Sequence, residues 1–277
     1  METEQNAKPI SIFQQVGNAT VDVWHDTVSM ISFVGEVTAA SAEALAHPKK
    51  IRWRDTFATL NRCGPDGLPI TAMICFLMGV ILAYQSAVQM AKYGADIFLP
   101  VLVGCSIVRE LGPLMAAVVA TGRCGSAFAA EIATMKVSEE LSALETMGIS
   151  PYRFLVIPKL IAMLIALPLL TIAGDLVGIF GGLAVGAMEL DMTVQTYLQI
   201  TRDWVTIPYF LEGIMKAFFF AWLITAAGCW CGFETTGDSV GVGRATTRSV
   251  VIGILLVVFA DAILAKLFTI LYTLLEI

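Results

Sequence analysis

Several ionisable residues stand inside apolar runs, and the chemistry open to four of them follows from that placement. Arg109 and Glu110 lie at the midpoint of the run from Ile97 to Thr121, Lys216 in the run from about Ile207 to Gly232, and Asp261 near the middle of the run from Ser249 to about Leu275. A charge at the centre of a bilayer costs ~2.5–3.5 kcal/mol on insertion scales, so such residues are paired and turned toward the bundle interior or a wet cavity. They suit a structural ion pair between helices, or a polar path for a substrate or ion. Neighbours in sequence point about 100° apart on a helix, so Arg109 and Glu110 make a poor mutual pair and each needs a partner elsewhere. Lys216 and Asp261 lie at similar depth with the complementary signs, and one polar cluster of these four residues is expected. The local alternative for Lys216 is Glu212, four residues before it in the favourable order, worth ~0.2–0.5 kcal/mol in water.

The segment from Gly122 to Met147 changes character. Phe128, Ile132 and Met135 share one helical face, and Val137, Leu141, Leu144 and Gly148 share another about half a turn round. The change of register at Lys136 to Ser138 predicts a kink or two short helices. Arg123, Glu131, Lys136, Glu139, Glu140 and Glu145 carry the polar surface. Such a segment between two spans suits docking to a partner; the alternative is a helix lying on the membrane surface.

RELGP at Arg109 to Pro113, GRCGSAFAAEI at Gly122 to Ile132, Met135, Glu139, Leu141, Met147 and Pro151, with GRATTR at Gly243 to Arg248 and Asp261, together resemble the MlaE (YrbE) family of ABC-transporter permeases. The likeness runs from roughly Arg52 to the C-terminus. It implies a homodimeric permease in a bacterial inner membrane, with glycerophospholipid as cargo and outer-membrane lipid asymmetry as the process served. The implied partners are a cytosolic ABC ATPase that binds ATP and Mg, coupled through 122–147, an MCE-domain substrate-binding protein outside, and a small STAS-type cytosolic subunit. No cofactor is expected in this chain, and no nucleic acid as partner. The residues themselves leave open an ion-coupled secondary transporter, with Arg109, Glu110, Lys216 and Asp261 as the relay, and a noncatalytic membrane scaffold.

Composition agrees with a membrane protein. Of 277 residues 57% are hydrophobic and 14% charged, with mean hydropathy +0.78, against about 45–50% and 25% in soluble domains. The class expected is an all-α polytopic membrane protein. No Gly-Lys-Ser/Thr occurs, so no Walker-type phosphate cradle is present; both histidines, His25 and His47, precede the first span, and the chain is expected not to be an enzyme. Cys63, Cys75, Cys105, Cys124, Cys229 and Cys231 lack metal-ligand spacing. Cys63 and Cys124 should be open to a water-soluble thiol reagent and Cys105 protected within a span.

The elements that must position these residues are five spans at about 68–91, 97–121, 151–187, 207–232 and 249–275, in a permease domain 63–277 preceded by a helical segment 1–62. Within that segment Val21, Trp24, Val28 and Ile31 form an interfacial stripe, Pro48 ends the helix, and Lys49, Lys50, Arg52, Arg54 and Arg62 make a basic flank. Lys and Arg gather at that flank, at 122–159 and at Arg244 to Arg248, which places the N-terminus in the cytoplasm and the C-terminus in the periplasm. In the third span Pro158 and Pro168 predict kinks, Gly174, Gly178, Gly182 and Gly186 recur every fourth residue as a helix-packing face, and Asp175 has no evident partner. Phe233 to Arg248 reads as a glycine-rich loop.

Overall fold

The computed structural model describes residues 28–41, 52–190, 192–236 and 238–275, together with Val21 and Trp24. Every regular element among them is helical, and five stretches are long and apolar enough to cross a membrane: Trp53–Ala91, Asp96–Val137, Tyr152–Glu189, Ile207–Phe233 and Ser239–Leu274. The protein is an all-α polytopic membrane protein. In chain order the helices are α1 (Val28–Ser41), α2 (Trp53–Cys63), α3 (Leu68–Ala91), α4 (Leu99–Ser106), α5 (Gly112–Ala120), α6 (Ser126–Val137), α7 (Glu140–Thr146), α8 (Ile157–Glu189), α9 (Val194–Trp204), α10 (Ile207–Phe233) and α11 (Ser239–Leu275). Pro48, Lys49 and Lys50 of the expected basic flank lie outside the described residues.

Two boundaries differ from the sequence reading. The helix of the second span does not stop at Thr121 but continues through α6 to Val137, because Phe128, Ala129, Ile132 and Ala133 are buried against other helices and hold it in the bundle. The expected glycine-rich loop shrinks to a few residues. Asp238 accepts a hydrogen bond from the Gly241 amide at 2.7 Å, an N-cap contact that satisfies an otherwise orphaned donor, and α11 therefore begins at Ser239 and carries GRATTR in its first turns. The expected break after Lys136 is present: α6 ends at Val137 and Glu139 turns the chain with φ 59° before α7.

The long spans are interrupted at proline. A proline has no N–H to offer the carbonyl four residues back and its ring crowds that carbonyl, so the helix before it widens. A π turn at Ile107–Leu111 precedes Pro113, another at Tyr152–Val156 precedes Pro158, and a third lies at Thr121–Gly125. Pro168 sits within α8 without one.

The third span is the centre of the bundle, with 72% of its apolar window buried, and the fifth is its margin, with 17% buried. Leucine, isoleucine and phenylalanine side chains on the outside, such as Leu169, Leu176, Leu255 and Phe259, meet acyl chains in a membrane rather than water. The glycine stripe works as expected of such a face, with different neighbours along its length. Gly174 and Gly178 let α3 approach: a Cβ at Gly174 would press on Cys75, and one at Gly79 would strike the Gly178 carbonyl. Gly182 and Gly186 instead receive Tyr197, the buried aromatic of α9, together with Val103 and Leu99.

The apolar residues of α1 divide between two surroundings. Phe33, Val37 and Ala40 are buried, with the Phe33 ring 5.7 Å from Tyr152 and 5.8 Å from Phe233, and Ser29 bridges Glu234 and Trp230. Val21, Trp24, Val28 and Ile31, the stripe read from the sequence, stay exposed. They face away from the bundle.

Alanine at Gly79 should destabilise the protein by ~1–3 kcal/mol through overpacking, whereas alanine at Gly243, exposed in α11 with no atom within 4 Å of its added Cβ, should gain roughly 0.5–1 kcal/mol. Thermal unfolding of the two purified variants in one detergent measures both; equal midpoints would remove the close approach of α3 and α8 as a packing constraint.

Candidate functional site

The RELGP stretch supplies the site's starting point through its proline. Pro113 cannot donate to the carbonyl of Arg109, four residues earlier. The π turn at Ile107–Leu111 leaves the Gly112 amide on the Ile107 carbonyl. The Arg109 carbonyl receives its hydrogen bond from another helix, the Lys216 ammonium of α10 at 3.0 Å.

Lys216 is wholly buried and does more than cap that carbonyl. Its Nζ lies 2.5 Å from Glu110 Oε2, 3.2 Å from Asp261 Oδ1 of α11 and 3.9 Å from Glu212 Oε1. The Glu110 contact is a directed hydrogen bond. The Asp261 contact is an ion pair by distance, without hydrogen-bond geometry at Oδ1. The intrahelical Glu212 contact is the longest of the three, so the cross-helix partners take precedence over the local pair.

Arg109 turns the other way. Its Nε lies 3.0 Å from Glu212 Oε2 and its Nη2 3.5 Å from Oε1, and its guanidinium stacks over the Tyr209 ring at 4.7 Å and the Tyr272 ring at 5.8 Å. The structure thus brings Arg109, Glu110, Lys216 and Asp261 into one network across α10, α11 and the second span. It assigns Arg109 to Glu212, not to the Asp261 that its sign suggested. Glu212 is the member missed. Its intrahelical spacing to Lys216 offered a sufficient local explanation, and only its own depth in an apolar run signalled more.

The expected handle divides in two. Arg123 pairs with Asp66, Nη2 to Oδ2 at 3.1 Å, and also donates to the Asp66 carbonyl. Glu131 accepts from Lys159 at 2.8 Å, and Lys136 donates to the Phe233 carbonyl. These three candidates are engaged within the chain because α6 is part of the bundle. Glu139, Glu140 and Glu145 are exposed on α7 and its lead-in turn, while Leu141 and Leu144 of the same helix are buried and fix it to the bundle.

Two cysteines depart from the sequence reading. Cys63 and Cys124 are buried at 3% and 4% exposure, so neither is open to a water-soluble thiol reagent; both sit where the turn between α2 and α3 meets the π turn at Thr121–Gly125, while Cys105 is partly exposed on α4, within a span. Asp175 is 3% exposed and packs so tightly on Gly112 that no Cβ would fit there. Its Oδ1 has no hydrogen-bond partner among the described residues. At the far end of the bundle, burial pushes the Tyr197 phenol of α9 above its ordinary range.

The family model described as Permease MlaE matches residues 56–267, a span that contains every member of the charge network. A probable ABC transporter permease protein of Rickettsia conorii is 36% identical over 205 residues, 74% of this chain and 79% of that protein. The intermembrane phospholipid transport system permease protein MlaE of Haemophilus influenzae is 35% identical over 205 residues, 74% and 78% of the two chains. The chloroplastic protein TRIGALACTOSYLDIACYLGLYCEROL 1 of Arabidopsis thaliana is 31% identical over 223 residues, 79% of this chain and 63% of that one.

Removing one partner of a buried ion pair costs about 3–5 kcal/mol, so Lys216→Met should lower thermal stability sharply. Combined with Glu110→Gln it should cost less than the sum of the two single changes; strict additivity would mean that the pair is not coupled. Pro113→Ala restores an amide that can reach the Arg109 carbonyl, and in the Lys216→Met background it should recover part of the loss. No recovery in a detergent melting series would separate the proline from the lysine.

Proposed function

The chain belongs to the MlaE permease family, and from that premise we propose that it is the membrane subunit of an ATP-driven ABC transporter that moves phospholipid between a bacterial inner membrane and an MCE-domain partner, in the service of outer-membrane lipid asymmetry. The observation that carries the reading is the network of Arg109, Glu110, Glu212, Lys216 and Asp261 deep in the bundle, within a chain whose acidic α7 is anchored by Leu141 and Leu144 and leaves Glu139, Glu140 and Glu145 exposed. The first suits a polar headgroup passing between apolar walls. The second suits contact with a soluble subunit.

In this reading ATP and Mg are held by a separate cytosolic ATPase, α7 is the surface that meets it, and two copies of the chain form the permease. An MCE-domain protein receives or delivers lipid on the opposite side, and a small STAS-type subunit joins the ATPase side. The basic residues support the orientation. Arg52, Arg123, Lys136, Lys159, Arg244 and Arg248 gather at the end of the bundle where α7 lies, against Lys92 and Arg202 at the other, and positive charge favours the cytoplasmic side. Five spans then put the C-terminus in the periplasm.

Two experiments test it. Glu139→Lys with Glu145→Lys places like charges against a basic or polar groove, which costs several kcal/mol at an interface; the permease should still insert, and the ATPase should be lost on affinity purification. An intact complex would move the coupling surface away from α7. For orientation, an impermeant maleimide added to intact cells should label a Tyr93→Cys variant, 85% exposed beyond α3, and leave Glu145→Cys unmodified; the opposite pattern would invert the topology.

A further inference from the structure

The network holds three carboxylates, Glu110, Glu212 and Asp261, against two cations, Arg109 and Lys216. Two positive charges less three negative ones leave one negative charge in excess, and its position can be found. Glu212, wholly buried, is matched by two nitrogens of Arg109. Lys216, also wholly buried, spends directed hydrogen bonds on Glu110 and on the Arg109 carbonyl. Asp261 is left with an ion-pair distance and no hydrogen bond at Oδ1.

Exposure points to the same place. The side chains of Glu212 and Lys216 have none, whereas Asp261 keeps 15% and Glu110 37%. The surplus charge therefore lies on the open side of the network, on two carboxylates that share one lysine ammonium. A bare negative charge at this depth in a bilayer is costly, and carboxylate oxygens without donors add to that cost. The group that satisfies both conditions is a cation with several N–H donors. Arg109, 28% exposed and held flat by Tyr209 and Tyr272, stands at the next position in sequence and can take an anionic oxygen.

We propose that Glu110 and Asp261 recognise the primary ammonium of a zwitterionic phospholipid headgroup, with Arg109 beside them for its phosphate, so that the permease prefers aminophospholipid. The proposal rests on the reading of the chain as a phospholipid permease and adds the headgroup class. A choline headgroup has the charge but no N–H to donate to the exposed carboxylate edges of Glu110 and Asp261. A glycerol headgroup has donors but only the negative charge of its phosphate, whereas an ethanolamine headgroup sets an ammonium against the carboxylates and leaves the net charge unchanged.

The test uses the transporter complex as isolated from its host membrane. It is equilibrated with vesicles of phosphatidylethanolamine, phosphatidylglycerol and phosphatidylcholine in equal amounts with identical acyl chains, and the bound lipid is quantified by mass spectrometry as headgroup ratios. Phosphatidylethanolamine should be enriched about threefold over each competitor, the scale of a partly hydrated ion pair. Glu110→Gln and Asp261→Asn should each return the ratio to that of the vesicles, whatever the total amount bound. Bound lipid with the vesicle ratio in the unsubstituted complex would overturn the headgroup assignment and leave the permease reading intact, as would enrichment that survives both substitutions. Absence of any bound phospholipid would instead defeat the permease reading. Should neither variant fold, the ratio of phosphatidylethanolamine to phosphatidylcholine in the unsubstituted complex decides: enrichment supports the ammonium site and equality overturns it.

Discussion

The contact between the Lys216 ammonium and the Arg109 carbonyl ties together features that otherwise look unrelated. Pro113 removes the donor that carbonyl would have had within its own helix, the second span widens into a π turn to accommodate the ring, and the orphaned oxygen is capped from α10. In a membrane no water stands ready to replace a missing backbone donor, so the proline in the second span requires the lysine in the fourth. Once buried, the lysine must have carboxylates around it, and Glu110, Asp261 and, more distantly, Glu212 are there. Arg109 then completes Glu212. All five charges thus follow in sequence from the one carbonyl that the proline leaves unsatisfied.

The same span is held on its other face by a different means. Gly112, between the charge pair and the proline, has no room for a side chain because Asp175 of α8 fills the space. Gly174 and Gly178 bring α3 close to α8, and Gly182 and Gly186 accept Tyr197. Between helices in lipid, association relies on close van der Waals contact, since burial of apolar surface gives little advantage over acyl chains. The bundle is accordingly tight where glycine allows it and polar where Lys216 demands it.

Much of this was legible from the residues. Charged residues in apolar runs announced the network, the fourfold glycine spacing announced a packing face, and the turn after α6 was readable in a change of helical register. The extents of the helices that carry the second and fifth spans were not. Hydropathy cannot tell a polar-edged helix held by Ala129 and Ile132 from one that leaves the bundle, nor a glycine-bearing helix start capped by Asp238 from a loop. The partner of Arg109 was hidden because Glu212 already had a local explanation. The burial of Cys63 and Cys124 depends on how the turn between α2 and α3 meets a π turn, a tertiary fact that no one-dimensional pattern encodes.

A buried ion network is a poor device for stability alone. Taking charges out of water costs several kcal/mol per ion, and well-packed apolar residues of similar volume are often as good or better at joining helices. This chain has ample means of that second kind, since Phe220, Ala221 and Ile224 of α10 are buried one turn and more beyond Lys216 and serve adhesion without charge. The network also stops short of neutrality, with its excess on Asp261 and its exposed edge at Glu110. A purely structural arrangement gains nothing from carboxylates short of donors at an open edge, whereas a site for an ammonium group has a use for them.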